Sequence, residues 1–137
     1  MSMIAMDEVC ASESRDYAPV RDILDRVCDK WSLMIMGMLE NEPRRFTALL
    51  NAVPGISQRM LTLTLRNLER DGLVTRTVFA EVPPRVEYEL TTLGATLIPA
   101  VLAIAQWAYE NHSTVEAHRD AFDEVRDAEA LKQTRFA

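Results

Sequence analysis

The sequence predicts a mainly α-helical fold that includes one small β-hairpin. Apolar residues recur at helical spacing along most of the chain, whereas two short segments between residues 74 and 90 show the β-branched and alternating patterns of strands. Prolines and glycines stand at the boundaries between these segments and not in low-complexity runs. A chain of 137 residues, 48% of them hydrophobic, is long enough for one domain with a real core.

The residue pattern in the first third of the chain predicts an arm followed by two helices. Residues 1–17 are polar and lack periodicity, so we expect a flexible arm. Pro19 suits the first turn of a helix of about ten residues, whose apolar face comprises Val20, Ile23, Leu24 and Val27. The segment Trp31–Leu39 is almost entirely apolar, which predicts a second helix that is buried on most sides.

A short helix and a capped helix are predicted next. Arg44–Phe46 favours an extended conformation and Thr47–Ala52 a short helix, after which a proline-glycine pair turns the chain. Ser57 is a good N-cap for the following helix, and Gly72 suits the left-handed position just beyond its end. Leucines spaced by four and three residues predict one buried stripe on this helix: Leu61, Leu65 and Leu68.

Two strands and two further helices complete the prediction. Val74–Phe79 is rich in β-branched residues and Val86–Leu90 alternates strictly, so the two segments form a hairpin with a proline-stiffened tip. We expect a long helix over residues 93–111 and a final helix over residues 114–130, after which the tail frays.

The long helix indicates how the chain assembles. From Ala95 to Tyr109 only Thr96 and Gln106 are polar, and a helix that is apolar nearly all round must be buried on more than one side. We expect it to be too short to span a membrane, with a kink at Pro99. Since a small domain cannot cover every side of such a helix, we expect a second copy of the chain to do so in a symmetric dimer.

The charge distribution favours nucleic acid binding by one part of the chain. The whole chain has a formal charge of −6, but residues 43–86 contain seven arginines and three acidic residues, a balance of +4. The remaining residues contain eight basic and 18 acidic side chains, a balance of −10. Because salt screens charges separated by more than roughly 8–10 Å, the local field at the docking surface decides whether phosphates bind.

The order of helix, short helix, turn, capped helix and hairpin is that of a winged helix-turn-helix. Segments in this order resemble the HxlR-type regulators, relatives of the MarR-like winged-helix proteins: Asp29–Leu33, Pro43–Phe46, Ile56–Thr62, Leu65–Val74 and Val82–Tyr88. The resemblance runs from about residue 19 to residue 110. It implies a cytoplasmic, dimeric bacterial transcription factor, and many members of that family sense reactive electrophiles or oxidants.

We therefore expect three regions in the chain. They are a flexible arm (1–17), a winged helix-turn-helix domain with its dimerisation helices (18–112), and a C-terminal helix with a frayed tail (113–137). Dimerisation is expected through the N- and C-terminal helices. Asp7 and Glu8 interrupt the N-terminus, which does not resemble a signal peptide, so we expect a cytoplasmic protein without a membrane segment.

The capped helix is the candidate DNA-recognition helix. Ser57, Gln58 and Arg59 lie at its N-terminus, where free amides and the helix dipole favour a phosphate or a base edge. Arg59 and Arg66 suit bidentate contacts to guanine or to phosphates, and Arg70 lies on the same side.

Five further residues extend this candidate interface. Thr62 is positioned to contact a base or a thymine methyl group. Leu63 stands where related sequences usually carry glutamine, so it can meet a thymine methyl group or pack against another helix. Arg44 and Arg45 are expected to reach flanking phosphates, and Arg85 at the wing tip suits a narrow minor groove.

The two cysteines, Cys10 and Cys28, are candidate redox residues. Many members of the family place the sensing cysteine directly before the proline that opens the first helix, and here that position is Ala18. Cys28 lies near Lys30, a neighbour that favours thiol reactivity when the thiol is exposed. The alternatives are a packing role for Cys28 with no role for Cys10, and a small-molecule effector that binds at the dimer seam.

The sequence therefore predicts a dimeric, sequence-specific transcriptional regulator, a repressor that responds to a redox or small-molecule signal. The alternative is a winged-helix module that binds protein and not DNA. An enzyme is not expected, because the sequence contains no phosphate loop, nucleotide fingerprint or paired carboxylates in a plausible cleft. His112 and His118 have no nearby cysteine, so we expect neither a metal nor a cofactor.

Overall fold

The computed structural model describes residues 3–11 and 17–135. The chain forms two compact units, one up to Val101 and one from Leu102 onward. The elements in chain order are α1 (Met6–Ala11), α2 (Ala18–Val27), α3 (Lys30–Met38), β1 (Arg44–Arg45), α4 (Phe46–Ala52), α5 (Gln58–Arg70), β2 (Val74–Phe79), β3 (Arg85–Leu90) and α6 (Thr92–Arg135). The strands form one antiparallel sheet in the order β1-β3-β2. This is the mainly α fold with a small hairpin that the sequence predicts.

Local signals place α2 to α5 close to their predicted bounds. Asp29 caps α3, since its carboxylate accepts a hydrogen bond from the backbone amide of Ser32. Ser57 caps α5 in the same way, accepting from the amide of Met60 at 3.0 Å. Gly72 has a φ of +77°, the left-handed conformation that lets the chain leave α5 for β2.

The hydrophobic core of the first unit lies between helices α3, α4 and α5 and the sheet. Its centre is fully buried and comes from α3, α4, α5 and β2: Ile35, Met36, Leu49, Leu61, Leu65, Leu68 and Val74. Tyr88 of β3 and Ile98 of α6 close the edge of this core. Burial of the α5 leucines fixes which side of that helix faces outward.

The N-terminal region differs from the prediction of an irregular arm. Residues 6–11 form α1, and Val9 is 2% exposed. The guanidinium of Arg21 in α2 donates to the carbonyl of Val9 at 3.1 Å, which ties the two helices together. A single buried valine in a short polar segment produces no visible periodicity, so the sequence gives little sign of this helix. The rest of the predicted arm, residues 1–2 and 12–16, lies outside the described residues.

The prediction of two C-terminal helices was wrong, because α6 runs without a break from Thr92 to Arg135 and through Pro99. Contacts between residues four apart lie beside the expected gap and across it. The Asn111 amide donates to the carbonyl of Trp107 at 2.8 Å, and His112 lies 3.8 Å from Glu116.

The greater length of α6 also shows that the expectation of a helix too short to span a membrane was wrong. At 44 residues, with an 18-residue window of mean hydropathy 1.4, α6 is long and apolar enough by length and composition alone. Only 17% of that window is buried within the chain. A long apolar helix that is little buried within its own chain is also typical of a helix that another protein chain covers.

A tight joint connects α5, β2 and the start of α6. The Thr91 hydroxyl donates to the carbonyl of Gly72 at 2.6 Å and accepts from the amide of Gly94 at 3.0 Å. Gly94 is buried, and a Cβ at this position would overlap the carbonyl oxygen of Leu73. The joint therefore needs a residue without a side chain at position 94.

We expect Gly94→Ala to lower the free energy of unfolding by about 1–3 kcal/mol, because the added methyl group must displace backbone. Gly37→Ala is the matched control, since a Cβ there meets nothing within 4 Å. That variant should gain about 0.5–1 kcal/mol, the usual effect of alanine in a helix interior. Urea unfolding followed by circular dichroism measures both. Equal effects of the two substitutions would contradict the proposed close packing at Gly94.

Candidate nucleic-acid interface

The outward side of α5 carries a stripe of arginines. Arg59, Arg66 and Arg70 are spaced by seven and four residues, so they share one side of the helix, opposite the buried leucines. All three side chains are exposed. Within residues 3–11 and 17–135, none of them forms an ion pair or an internal hydrogen bond. Their charges are therefore uncompensated and available to a ligand.

The N-terminus of α5 is exposed, but some of its polar side-chain groups already form hydrogen bonds within the helix. The Ser57 oxygen accepts the bond from Met60, so its hydroxyl retains a hydrogen to donate. The Thr62 hydroxyl donates to the carbonyl of Gln58 at 2.8 Å, which leaves its oxygen and methyl group facing outward. Gln58 is exposed at the first position of the helix.

Leu63 lies at the flank of this surface. It is 49% exposed and borders a cleft together with Met60. The other wall of the cleft comes from the acidic side of α2 and the start of α3, with Asp22, Asp25 and Asp29 among its residues. Leu63 therefore stands between the two roles expected for it, with half of its surface still open to a ligand.

The two arginines of β1 have different surroundings. The Arg44 Nε donates to the carbonyl of Met38 at 2.6 Å, and its guanidinium lies 3.6 Å from Glu42. Arg44 thus satisfies an end carbonyl of α3 and holds β1 against that helix. Arg45 is exposed and has no ion pair among the described residues. Of the two, Arg45 has the free charge that a phosphate contact requires.

Arg76 is a further basic residue beside the stripe, which the sequence-based selection of site residues missed. It lies on β2, is exposed, and borders a cleft between the helix and the sheet together with Thr62, Arg66 and Glu69. Strand alternation was a signal that could have identified it, because it places Arg76 on the same face of β2 as the buried Val74, towards α5. Arg66 and Arg76 give this cleft two positive charges against the one carboxylate of Glu69.

Arg85 has the most restricted guanidinium at the interface. It begins β3 directly opposite Phe79, and its guanidinium carbon lies 4.1 Å from the centroid of the Phe79 ring. Its terminal nitrogens lie 3.4 Å from the Glu81 carboxylate and 3.7 Å from that of Glu87. Only 28% of the side chain is exposed. The positive charge of Arg85, which was expected at the wing tip, therefore lies against the hairpin and is compensated by two carboxylates.

The candidate redox residues lie on helices α1 and α2. Cys10 and Cys28 are both exposed, and both are free thiols. Cys28 is the C-cap of α2, and its amide donates to the carbonyl of Leu24. In the part of the chain that the structure describes, no group of three or more histidines, cysteines and carboxylates is suited to hold a metal ion.

Comparison with known proteins matches residues 26–116 to the model of the HxlR-like helix-turn-helix family. The HTH-type transcriptional regulator YybR of Bacillus subtilis is 41% identical over 106 residues, 77% of this chain and 85% of that protein. Among solved structures, the transcriptional regulator ytfH of Salmonella typhimurium has a TM-score of 0.70 at 37% identity, covering 74% of this chain and 91% of the other. The redox regulator HypR in its reduced form has a TM-score of 0.67 at 42% identity, with 73% and 99% covered.

Proposed function

This chain belongs to the HxlR-like helix-turn-helix family of transcriptional regulators, and we propose that it is a cytoplasmic, homodimeric repressor that binds operator DNA through α5. The observation that supports this most is the stripe of three exposed arginines on the side of α5 opposite the core, which form no ion pair with any residue that the structure describes. A recognition helix in the major groove needs such a side for base edges and phosphates. Repression follows if the bound dimer occupies the promoter and excludes polymerase.

The proposed contacts follow from the free charges at the interface. Arg59 and Arg66 contact base edges or phosphates, and Arg70 contacts a phosphate near the end of α5. Gln58 and Ser57 donate to a phosphate at the helix N-terminus, while Thr62 and Leu63 contact thymine methyl groups. Arg45 and Arg76 reach flanking phosphates. Arg44 is a weaker candidate, because its guanidinium is already bonded to the end of α3.

Arg59→Ala and Arg66→Ala should each weaken operator binding by about 1–3 kcal/mol per half-site. A dimer loses two contacts per substitution, so if these contacts are to phosphates, the slope of log K against log salt should fall by about two. Fluorescence anisotropy with the intergenic DNA upstream of the gene and with a scrambled duplex measures both quantities.

Arg119→Ala is the control, because it removes the same charge from an exposed position in α6. It should leave affinity and slope close to those of the unmodified protein. Equal losses in Arg59→Ala and Arg119→Ala would contradict the assignment of α5 as the recognition helix. The absence of selective binding by the unmodified protein at any salt concentration would favour the protein-binding module instead.

Exposed apolar residues of α6 support the proposed dimer. Four large side chains between residues 102 and 109 are 42–76% exposed in the single chain: Leu102, Ile104, Trp107 and Tyr109. Water contact of this much apolar surface is unfavourable, and a second α6 would remove it. A symmetric pair also places two copies of α5 for two half-sites.

We expect Ile104→Asp to convert the dimer to a monomer, because it places a carboxylate in the apolar seam. Gln106→Lys is the control, since it adds one charge to the same helix at a position that is already polar, and an ammonium there can still donate to Glu110. Size-exclusion chromatography with light scattering should give twice the 15.5 kDa chain mass for the unmodified protein and the control. A variant Ile104→Asp that stays dimeric would place the seam elsewhere.

The proposed signal is thiol oxidation, with a small-molecule effector as the alternative. Cys28 follows Arg26 by two residues, and the Arg26 guanidinium lies 3.8 Å from Asp71 at the end of α5. A modification at Cys28 is therefore two residues along the chain from a contact between α2 and the recognition helix. HypR is named as a redox regulator, which is consistent with this proposal.

Treatment with diamide should weaken operator binding, and dithiothreitol should restore it. Diamide removes two hydrogens from two thiols and joins them as a disulfide. If Cys28 of one subunit pairs with that of the other, Cys28→Ser should bind DNA equally well in both conditions, whereas Cys10→Ser should still respond. Loss of the response in both serine variants would indicate a disulfide between Cys10 and Cys28. The reverse pattern would make Cys10 the sensor. A response that persists in the double serine variant, or unmodified protein that ignores diamide, would contradict thiol sensing and favour a small-molecule effector.

A further inference from the structure

The wing carries less positive charge than its sequence implies. Between residues 79 and 87 the charged side chains are those of Arg85, Glu81 and Glu87. The two carboxylates lie on either side of one guanidinium, so the group has a net charge of −1. The arginines of α5, by contrast, have no carboxylate partners within the described ranges. Phosphates approaching the wing therefore meet a negative group, unless Arg85 leaves it.

The position of Arg85 is held by three contacts that come from different parts of the hairpin. Phe79 ends β2, Glu81 lies in the turn, and Glu87 lies two residues further along β3. The aromatic face fixes the plane of the guanidinium, and the carboxylates attract its terminal nitrogens. Together they keep the charge against the hairpin, while Val82 at the tip is fully exposed.

Within residues 3–11 and 17–135, the guanidinium of Arg85 lacks one hydrogen-bond partner, so it can exchange its present contacts for others. The Arg85 Nε is shielded from solvent and has no hydrogen-bond acceptor among the described residues. The Glu81 carboxylate is half exposed, and partly exposed ion pairs are weak. A DNA phosphate offers the guanidinium a stronger, charge-assisted partner.

We propose that Glu81 and Glu87 are positioning residues that restrain Arg85 on Phe79 and thereby lower the affinity of the wing for DNA. Arg85 contacts the minor groove or its phosphates only after it exchanges the carboxylates for DNA. This inference rests on the proposed function, since it requires that α5 brings the wing to a duplex. Arg85 of the wing then adds to the DNA affinity that the free arginines of α5 supply, but only after it leaves the two carboxylates.

The test is a double-mutant cycle on operator binding, measured by anisotropy over a range of salt concentrations. Glu81→Gln should raise affinity and steepen the salt slope by about two, one unit for each wing of the dimer. Arg85→Ala should reduce affinity much more in the Glu81→Gln background than in the unmodified protein. Circular dichroism and unfolding curves confirm that each variant is folded.

Glu89→Gln is the matched control. It removes the same charge from the same hairpin, and Glu89 is exposed and forms no ion pair with the described residues. It should raise affinity less than Glu81→Gln, and its effect should be independent of Arg85. Equal effects of the two glutamine variants, or additivity between Glu81→Gln and Arg85→Ala, would overturn the inference. So would a Glu81→Gln variant that binds more weakly.

These outcomes are separate from failure of the proposed function. Protein that shows no salt-sensitive selective binding, or that is unaffected by Arg59→Ala, would refute α5 as the recognition helix and the wing inference with it. Binding that depends on Arg59 but shows no coupling between positions 81 and 85 would refute the wing inference alone.

Discussion

Burial of the α5 leucine stripe is the constraint on which the rest of the structure depends. Leu61, Leu65 and Leu68 are 0–1% exposed and occupy the centre of the core with residues of α3 and β2. Removing side chains of this size from water stabilises the fold by about 1.5–3 kcal/mol each. Because helix periodicity is fixed, the same burial directs Arg59, Arg66 and Arg70 outward. Core packing and the candidate interface are thus two sides of one helix.

The arginines between residues 43 and 86 fall into two groups, those with free charges and those whose charges are compensated by neighbouring groups. Among residues 3–11 and 17–135, the side chains of Arg59, Arg66 and Arg76 have no partners, whereas Arg44 is bonded to the end of α3 and Arg85 is held between carboxylates. Counting charges along the sequence treats all of them alike. The distinction matters because a free arginine gains a phosphate contact directly, while a compensated one must first give up an existing partner.

Local chemistry made much of the fold predictable. The serine at position 57, the glycine at position 72 and the alternation of Val86–Leu90 are short-range signals, and the elements begin and end close to where these signals place them. The arginine stripe followed from the same helical spacing. The structure also contains α1, the unbroken α6 and the restraint on Arg85. These depend on one buried valine, on weak contacts within residues 107–116, and on a cross-strand register, none of which has a strong local signature.

A salt titration shows whether the free arginines of α5 bind operator DNA. Anisotropy of the unmodified protein would be measured with the intergenic duplex upstream of its gene and with a scrambled duplex, each at low and high salt. We expect selective binding to the intergenic duplex that falls steeply as salt rises, since a dimer contacting about six to ten phosphates loses about 10³–10⁵ in affinity between 50 and 200 mM. Equal binding to both duplexes, or binding that is indifferent to salt, would contradict it.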